Sequence, residues 1–136
     1  MSFESGLTTK LKADPGLALL IAGRIYPVIL PQAPQYPCLS YQVISSLDHY
    51  TMQGRTGLVA KRVQFNVFAV EHSSMLAARD ALIRCLSGFK GWMGDQRIQG
   101  SFLDLEIDEF EAALDAAGPR VFRRIIDFTF WHEEEF

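Results

Sequence analysis

The sequence predicts an α+β fold: a four-stranded, mostly antiparallel sheet packed by one main helix, with an N-terminal helical segment and a proline-rich extended arm. Two observations carry this. Apolar residues recur at helical spacing near the start and again over 73–87, whereas 39–47, 59–71, 97–110 and 121–132 read with the period of strands. The resulting order of helix, two strands, helix, two strands is that of a sheet with its helices segregated from it. A third observation sets the arm apart, because Pro27, Pro31, Pro34 and Pro37 fall within eleven positions.

Phe3, Leu7 and Leu11 share one helical face, Ser2 is placed to cap it, and Asp14-Pro15 ends it. Pro15 can open a second short helix over 16–22, closed by Gly23. The proline-rich arm follows over 24–38. Proline fixes φ and cannot donate to a ladder, so this segment is expected to be extended and polyproline-like. Leu39, Tyr41 and Val43 alternate with Ser40 and Gln42, which predicts a strand ending near Leu47. The stretch DHYTMQGRTG, residues 48–57, shows two glycines and little periodicity and reads as a long hairpin loop.

The return strand covers 59–71, with Val63, Phe65, Val67 and Ala69 on one face. Ser73 or Ser74 can cap the main helix, whose Met75, Leu76, Leu82, Ile83 and Leu86 form the inner stripe, with Gly88 as its stop. GFKGWMGD is a glycine-spaced turn. Strands over 97–110 and 121–132 complete the sheet, and residues 132–136 read as an acidic tail. With 136 residues and a hydrophobic fraction of 49%, the chain is expected to form a single domain over 1–136.

A net charge of −3, with basic residues scattered, speaks against a nucleic-acid-binding module, which would show a basic stripe. No apolar run approaches the roughly 20 residues needed to span a bilayer, and MSFESGLTTKLK lacks the order of a signal peptide. Cys38 and Cys85 match no metal spacing and are expected to be free thiols. His49, His72 and His132 stand near no nucleophile motif. The glycines of GxxGxxG at Gly88, Gly91 and Gly94 follow a helix, whereas a phosphate cradle precedes one. Trp131-His132-Glu133 and its following glutamates alternate sides along a chain and do not converge on a metal. No cofactor or metal is expected.

Asp104, Glu106 and Asp108 alternate with Leu103, Leu105 and Ile107, so one face of that strand reads as a ladder of carboxylates. It is expected either as a solvent-facing edge kept soluble by charge or as the acidic lumen of an assembly.

Five segments occur in an order that identifies a family: GRIYPVILPQ with YPCLSYQ, RVQFNVFA, AARDALIRCLSGFKG, IQGSFLDLEIDEFE and RVFRRIIDFTFWHEE. Together they resemble the tail-completion proteins of long-tailed bacteriophages and prophages, also described as tail-to-head joining or tail terminator proteins. The resemblance runs from about Leu11 to Glu134, and RIYP…LPQ and DFTFWHEE are its most specific parts. It implies a virion structural protein that forms a homo-oligomeric ring, expected as a hexamer, at the top of the tail. Its implied partners are copies of itself, the tail tube protein and the head connector or neck protein. DNA would pass through without sequence-specific binding, and no membrane is involved. The implied location is the virion, after assembly in the bacterial host cytoplasm.

No catalytic residues follow from this resemblance. Tyr50, Met52 and Arg55 in the 48–57 segment, with Tyr36 of the proline arm, are the expected subunit or partner contacts, since tyrosine and arginine dominate interface energies. Two other functions compete. A small cytosolic enzyme could use the Asp104, Glu106 and Asp108 strand, which requires a pocket beside it. An adaptor could present PQAP and PQYP as PxxP ligands, which requires an exposed arm over 31–37.

Overall fold

The computed structural model describes residues 2–31, 34–111 and 121–133. Among these residues, three helices, α1 (Phe3–Ala13), α2 (Pro15–Ile21) and α3 (His72–Leu86), lie against one face of a six-stranded sheet. The strands are β1 (Ile25–Pro27), β2 (Cys38–Thr51), β3 (Gly54–Ala69), β4 (Gly91–Met93), β5 (Gln96–Glu111) and β6 (Val121–Glu133). They are ordered β1-β2-β3-β6-β5-β4, with β1 parallel to β2 and every other pair antiparallel.

The α+β class agrees with the sequence, but the sheet has six strands rather than four. The two additional strands are three residues each and edge the sheet. Neither is long enough to show a period.

The helix starts follow from side-chain caps. Ser2 Oγ accepts from the Ser5 N–H at 3.1 Å, and Asp14 Oδ2 accepts from the Leu17 N–H at 3.0 Å with Pro15 at the first turn. Ala22 and Gly23, both at positive φ, close α2. α3 differs from expectation: Glu71 occupies the cap position without a side-chain bond, and neither Ser73 nor Ser74 serves.

The core lies between the helices and alternate residues of the central strands. Phe3, Leu7 and Leu11 of α1, and Met75, Ala78, Leu82 and Leu86 of α3, meet Val63, Phe65, Val67, Ile126, Phe128 and Phe130. Leu76 and Ile83 flank this core half-buried, so α3 is turned slightly from the expected stripe. Phe65 and Phe128 meet edge to face at 5.9 Å. Tyr41 is buried among them with its hydroxyl 2.6 Å from Thr8 Oγ1, which ties β2 to α1.

Three local expectations are corrected. Residues 48–57 do not form a long loop: β2 and β3 continue, pairing Tyr50 with Arg55 and Thr51 with Gly54 around a turn of Met52 and Gln53. Irregular register after Val43 and after Asp48 breaks the alternation that would have revealed these strand ends.

The described ends of the proline-rich segment do not form a polyproline arm. The segment starts as β1, with the Val28 N–H donating to Tyr41 O at 2.8 Å, and it is held at its far end by Arg24 Nε donating to Pro37 O at 2.9 Å. Val28 turns the chain at φ 67, and the Tyr36–Pro37 peptide is cis. The acidic tail does not begin at 132. His132 is 1% exposed within β6 and stacks on Phe3 at 5.0 Å, and Glu133 ends the strand; residues 134–136 lie outside the described residues.

Helix α1 crosses β4 at a glycine for a steric reason. A Cβ on Gly6 would stand 2.3 Å from the backbone oxygen of Met93. The substitution Gly6→Ala therefore tests this packing by its sign. Helix propensity alone would stabilise the variant by about 1 kcal/mol. The clash is expected to reverse that into a loss of roughly 1–3 kcal/mol, read as a lower melting temperature and denaturant midpoint. A more stable variant would show that α1 does not lie this close to β4.

Candidate functional site

The acidic strand is where the structure departs most from the alternation read in the sequence. Leu103 pairs with Phe128, but the register then shifts, and Leu105 pairs with Asp127, leaving Asp104 as the extra residue of a bulge. The bulge splits the ladder. Glu106 and Asp108 pair with Ile126 and Arg124, on the face covered by the helices, whereas Asp104 accepts from Thr129 Oγ1 on the other face. The expected single row of three carboxylates is thus divided between two faces.

Glu106 and Asp108 are held by arginines rather than left to solvent. Arg79 of α3 donates to both Glu106 oxygens at 2.6 and 2.7 Å, and Arg124 of β6 donates to both Asp108 oxygens at the same two distances. Arg124 also lies 3.5 Å from Glu106. These forked pairs are the strong geometry for guanidinium and carboxylate. The hydrogen bond from Arg79 lowers the pKa of Glu106, the bond from Arg124 lowers that of Asp108, and both arginines are raised in turn. Carboxyls held ionised in this way are poor general acids at neutral pH. A groove of about 270 Å³ beside them is lined by His72, Met75, Asp108, Glu109 and Phe122.

The inverse face is the unexpected one. Leu105 and Ile107, which alternation would bury, lie on the helix-free side and are 45% and 44% exposed. Phe102 is exposed beside them and folds over Gly100, where an added Cβ would come within 2.9 Å of its ring. With Leu58, Gln99, Gly100 and Trp131 it lines an apolar groove of about 420 Å³. Two arginines on this face have acidic partners: Arg62 pairs with Asp127 at 2.8 Å, and Arg123 with Glu109 at 3.3 Å.

The expected contact residues separate into two places. Tyr50 and Met52 are exposed at the tip of the β2–β3 hairpin, where Arg55 is braced by Asp48 at 2.6 Å. Past Leu58 this hairpin pairs with no other strand among the described residues. Tyr36 lies elsewhere, half-buried against the small cluster of Cys38, Phe68 and Val121 near the opposite end of β2. Sequence reasoning missed Arg79 and Arg124 as partners of the acidic strand; only the fold brings α3 and β6 to it.

Burial pushes the thiols of Cys38 and Cys85 up to about 11, so both are weak nucleophiles at neutral pH. Among the described residues, no group of three or more His, Cys, Asp or Glu is placed to hold a metal ion. No described helix is long and apolar enough to cross a membrane.

The Arg79–Glu106 pair locks α3 to β5, and its contribution has a definite pH sign. The folded-state pKa of Glu106 is depressed, so its stabilisation is present above the unfolded value and is lost as pH falls through the folded one. A double-mutant cycle of Arg79→Met and Glu106→Gln is expected to give a coupling of about 1 kcal/mol at neutral pH, reduced by exposure to solvent. That coupling should disappear in acid. A coupling that persists unchanged below the carboxylate range would contradict the ion pair.

The fold has a counterpart among solved structures. A chain from the virion of a native gene transfer agent (GTA) particle superimposes with a TM-score of 0.77 at 18% identity, covering 97% of this chain and 95% of that one. No curated protein matches the sequence. The profile of one family, described as Tail completion protein gp17, matches residues 5–133. The chain therefore belongs to the tail completion protein family, whose members are structural proteins of the phage virion rather than enzymes.

Proposed function

We propose that the protein forms a homo-oligomeric ring, a hexamer, which caps the tail tube and joins the completed tail to the head connector. The observation that carries this reading is the β2–β3 hairpin tip. Tyr50 is 68% exposed and Met52 is fully exposed, on a hairpin that pairs with no other described strand past Leu58. Large side chains held out by a braced two-stranded ribbon have no role in the fold of one subunit. They suit insertion into a neighbouring virion protein, as interface anchors do.

The helices occupy the wider outer circumference in this reading, and the helix-free face looks toward the lumen. Along its central strands that face offers phosphates little counter-charge, since Arg62 and Arg123 are engaged by Asp127 and Glu109, and Asp104 adds a negative group; the exposed Arg97 lies at the β4 edge. DNA then passes without being retained. Glu106 and Asp108, clamped by Arg79 and Arg124, serve the subunit's own packing instead. Assembly would take place in the bacterial host cytoplasm, with the tail tube protein and the neck as partners.

Two measurements test the reading. Cells producing particles that lack this gene are expected to contain filled heads beside unjoined or overlong tails in electron micrographs. Normal joined particles would exclude the role. The second uses Tyr50→Ser with Met52→Ser, both at exposed positions, so thermal stability should move by no more than about 0.5 kcal/mol. Joining should nevertheless fail, and unchanged infectious or transducing titres would remove the hairpin tip from the interface.

A further inference from the structure

The sheet ends in two edges that the short outer strands cover only in part. β1 pairs with β2 at Leu39, Ser40 and Tyr41, and β4 pairs with β5 at Gln96, Arg97 and Ile98. Beyond those residues, no described strand lies on the outer side of β2 from Gln42 to Thr51, or of β5 from Phe102 to Glu111. An uncovered strand presents a row of N–H and C=O groups ready to pair.

The outward groups can be assigned by alternation from bonds already made. The Val28 N–H donates to Tyr41 O, so Tyr41 points away from β3, as does Val43. The bulge residue Ile44 then shifts the phase, and Ser46 and Asp48 are the next outward residues. On β5 the Gly88 N–H donates to Ser101 O, so Ser101 points away from β6, as does Leu103. After the bulge at Asp104, the outward residues are Glu106 and Asp108. The two edges carry the same spacing: 43, 46, 48 and 103, 106, 108.

We infer that these edges are complementary and that β5 of one copy pairs antiparallel with β2 of the next, an inference that rests on the ring reading above. Val43 lies opposite Asp108, Ser46 opposite Glu106 and Asp48 opposite Leu103. Each bulge falls opposite a regular stretch of the other strand, so their extra residues cancel. The register sets Leu47 across from Leu105 on the helix-free face, as a non-hydrogen-bonded pair, the kind with the closest side chains. Both are exposed in the single subunit, at 62% and 45%. Ile44 and Phe102, also exposed, lie on the same two strand segments.

The stagger fits closure. Within one chain, Val43 is level with Leu103 through Val63 and Phe128, whereas in the joined sheet it meets Asp108, which pairs with Arg124. Phe128 and Arg124 are four residues apart on β6, a shift of about 14 Å, across four strands spanning about 19 Å. That corresponds to a strand tilt of about 36°, within the roughly 35–45° at which sheets close into barrels.

The test is cross-linking in assembled tails. Leu47→Cys with Leu105→Cys in one chain should give covalent multimers under mild oxidation, dispersed by reductant, and neither single variant should do so. Ser46→Pro removes an outward donor that the subunit's own ladder does not use. It should leave the melting temperature of the subunit unchanged while abolishing oligomers. Closed oligomers that neither cross-link in the double variant nor respond to Ser46→Pro would overturn the edge pairing and leave the ring standing. A single copy per assembled tail would overturn both.

Discussion

The register of β3 against β6 is the constraint on which the rest of the molecule depends. Leu58 through Ala69 pair with Glu133 through Phe122 without interruption, whereas the shifts of register fall in the flanking β2–β3 and β5–β6 pairs. Slipping this central pair by one residue would turn either Val63, Phe65 and Val67 or their partners Ile126, Phe128 and Phe130 from the helices to the open face. All six are buried, so the register is held by the whole core at once. With the centre fixed, the outer strands can bend, bulge and stop early without cost to the packing between helices and sheet.

What was legible in the sequence follows from this arrangement. β3, β6 and α3 were visible because one side of each is buried along most of its length, so their periods persist. β1 and β4 were hidden because three residues carry no period, and their sequences, IYP and GWM, hold the very residues that usually end a strand. The 48–57 segment was misread for a related reason. Its glycines, Gly54 and Gly57, lie just past the turn at positive φ, while the turn residues are Met52 and Gln53. The cue was real, but it marked an irregular strand instead of a loop.

The acidic strand shows the limit of counting by twos. Period-two reasoning placed Asp104 with Glu106 and Asp108, and a single extra residue moved it to the opposite face. It also assumed that the apolar side of β5 must be the buried side. In fact Arg79 reaches the strand from α3 and makes the carboxylate side the inner one, leaving Leu105 and Ile107 outside. Nothing within residues 103–108 signals this, because the deciding cations are more than twenty residues away on α3 and more than ten away on β6. Tyr50, Met52 and Arg55 were found together because they are neighbours in sequence; Tyr36, grouped with them by residue type alone, belongs to a different end of the sheet.

Long open edges are hazardous for a protein that must stay dispersed until its assembly site is ready, since any regular strand could add to them. The two bulges offer a way to reconcile openness with restraint. A bulge bends its strand and increases the local twist, at Ile44 in β2 and at Asp104 in β5, so a flat strand laid along either edge meets a kink. A partner bent at the matching place follows the edge past the break. β2 and β5 are such strands for each other. Pairing within one chain is ruled out, because β3 and β6 stand between them. The irregularities that obscured these strands in the sequence would then be the features that shape the two edges to each other.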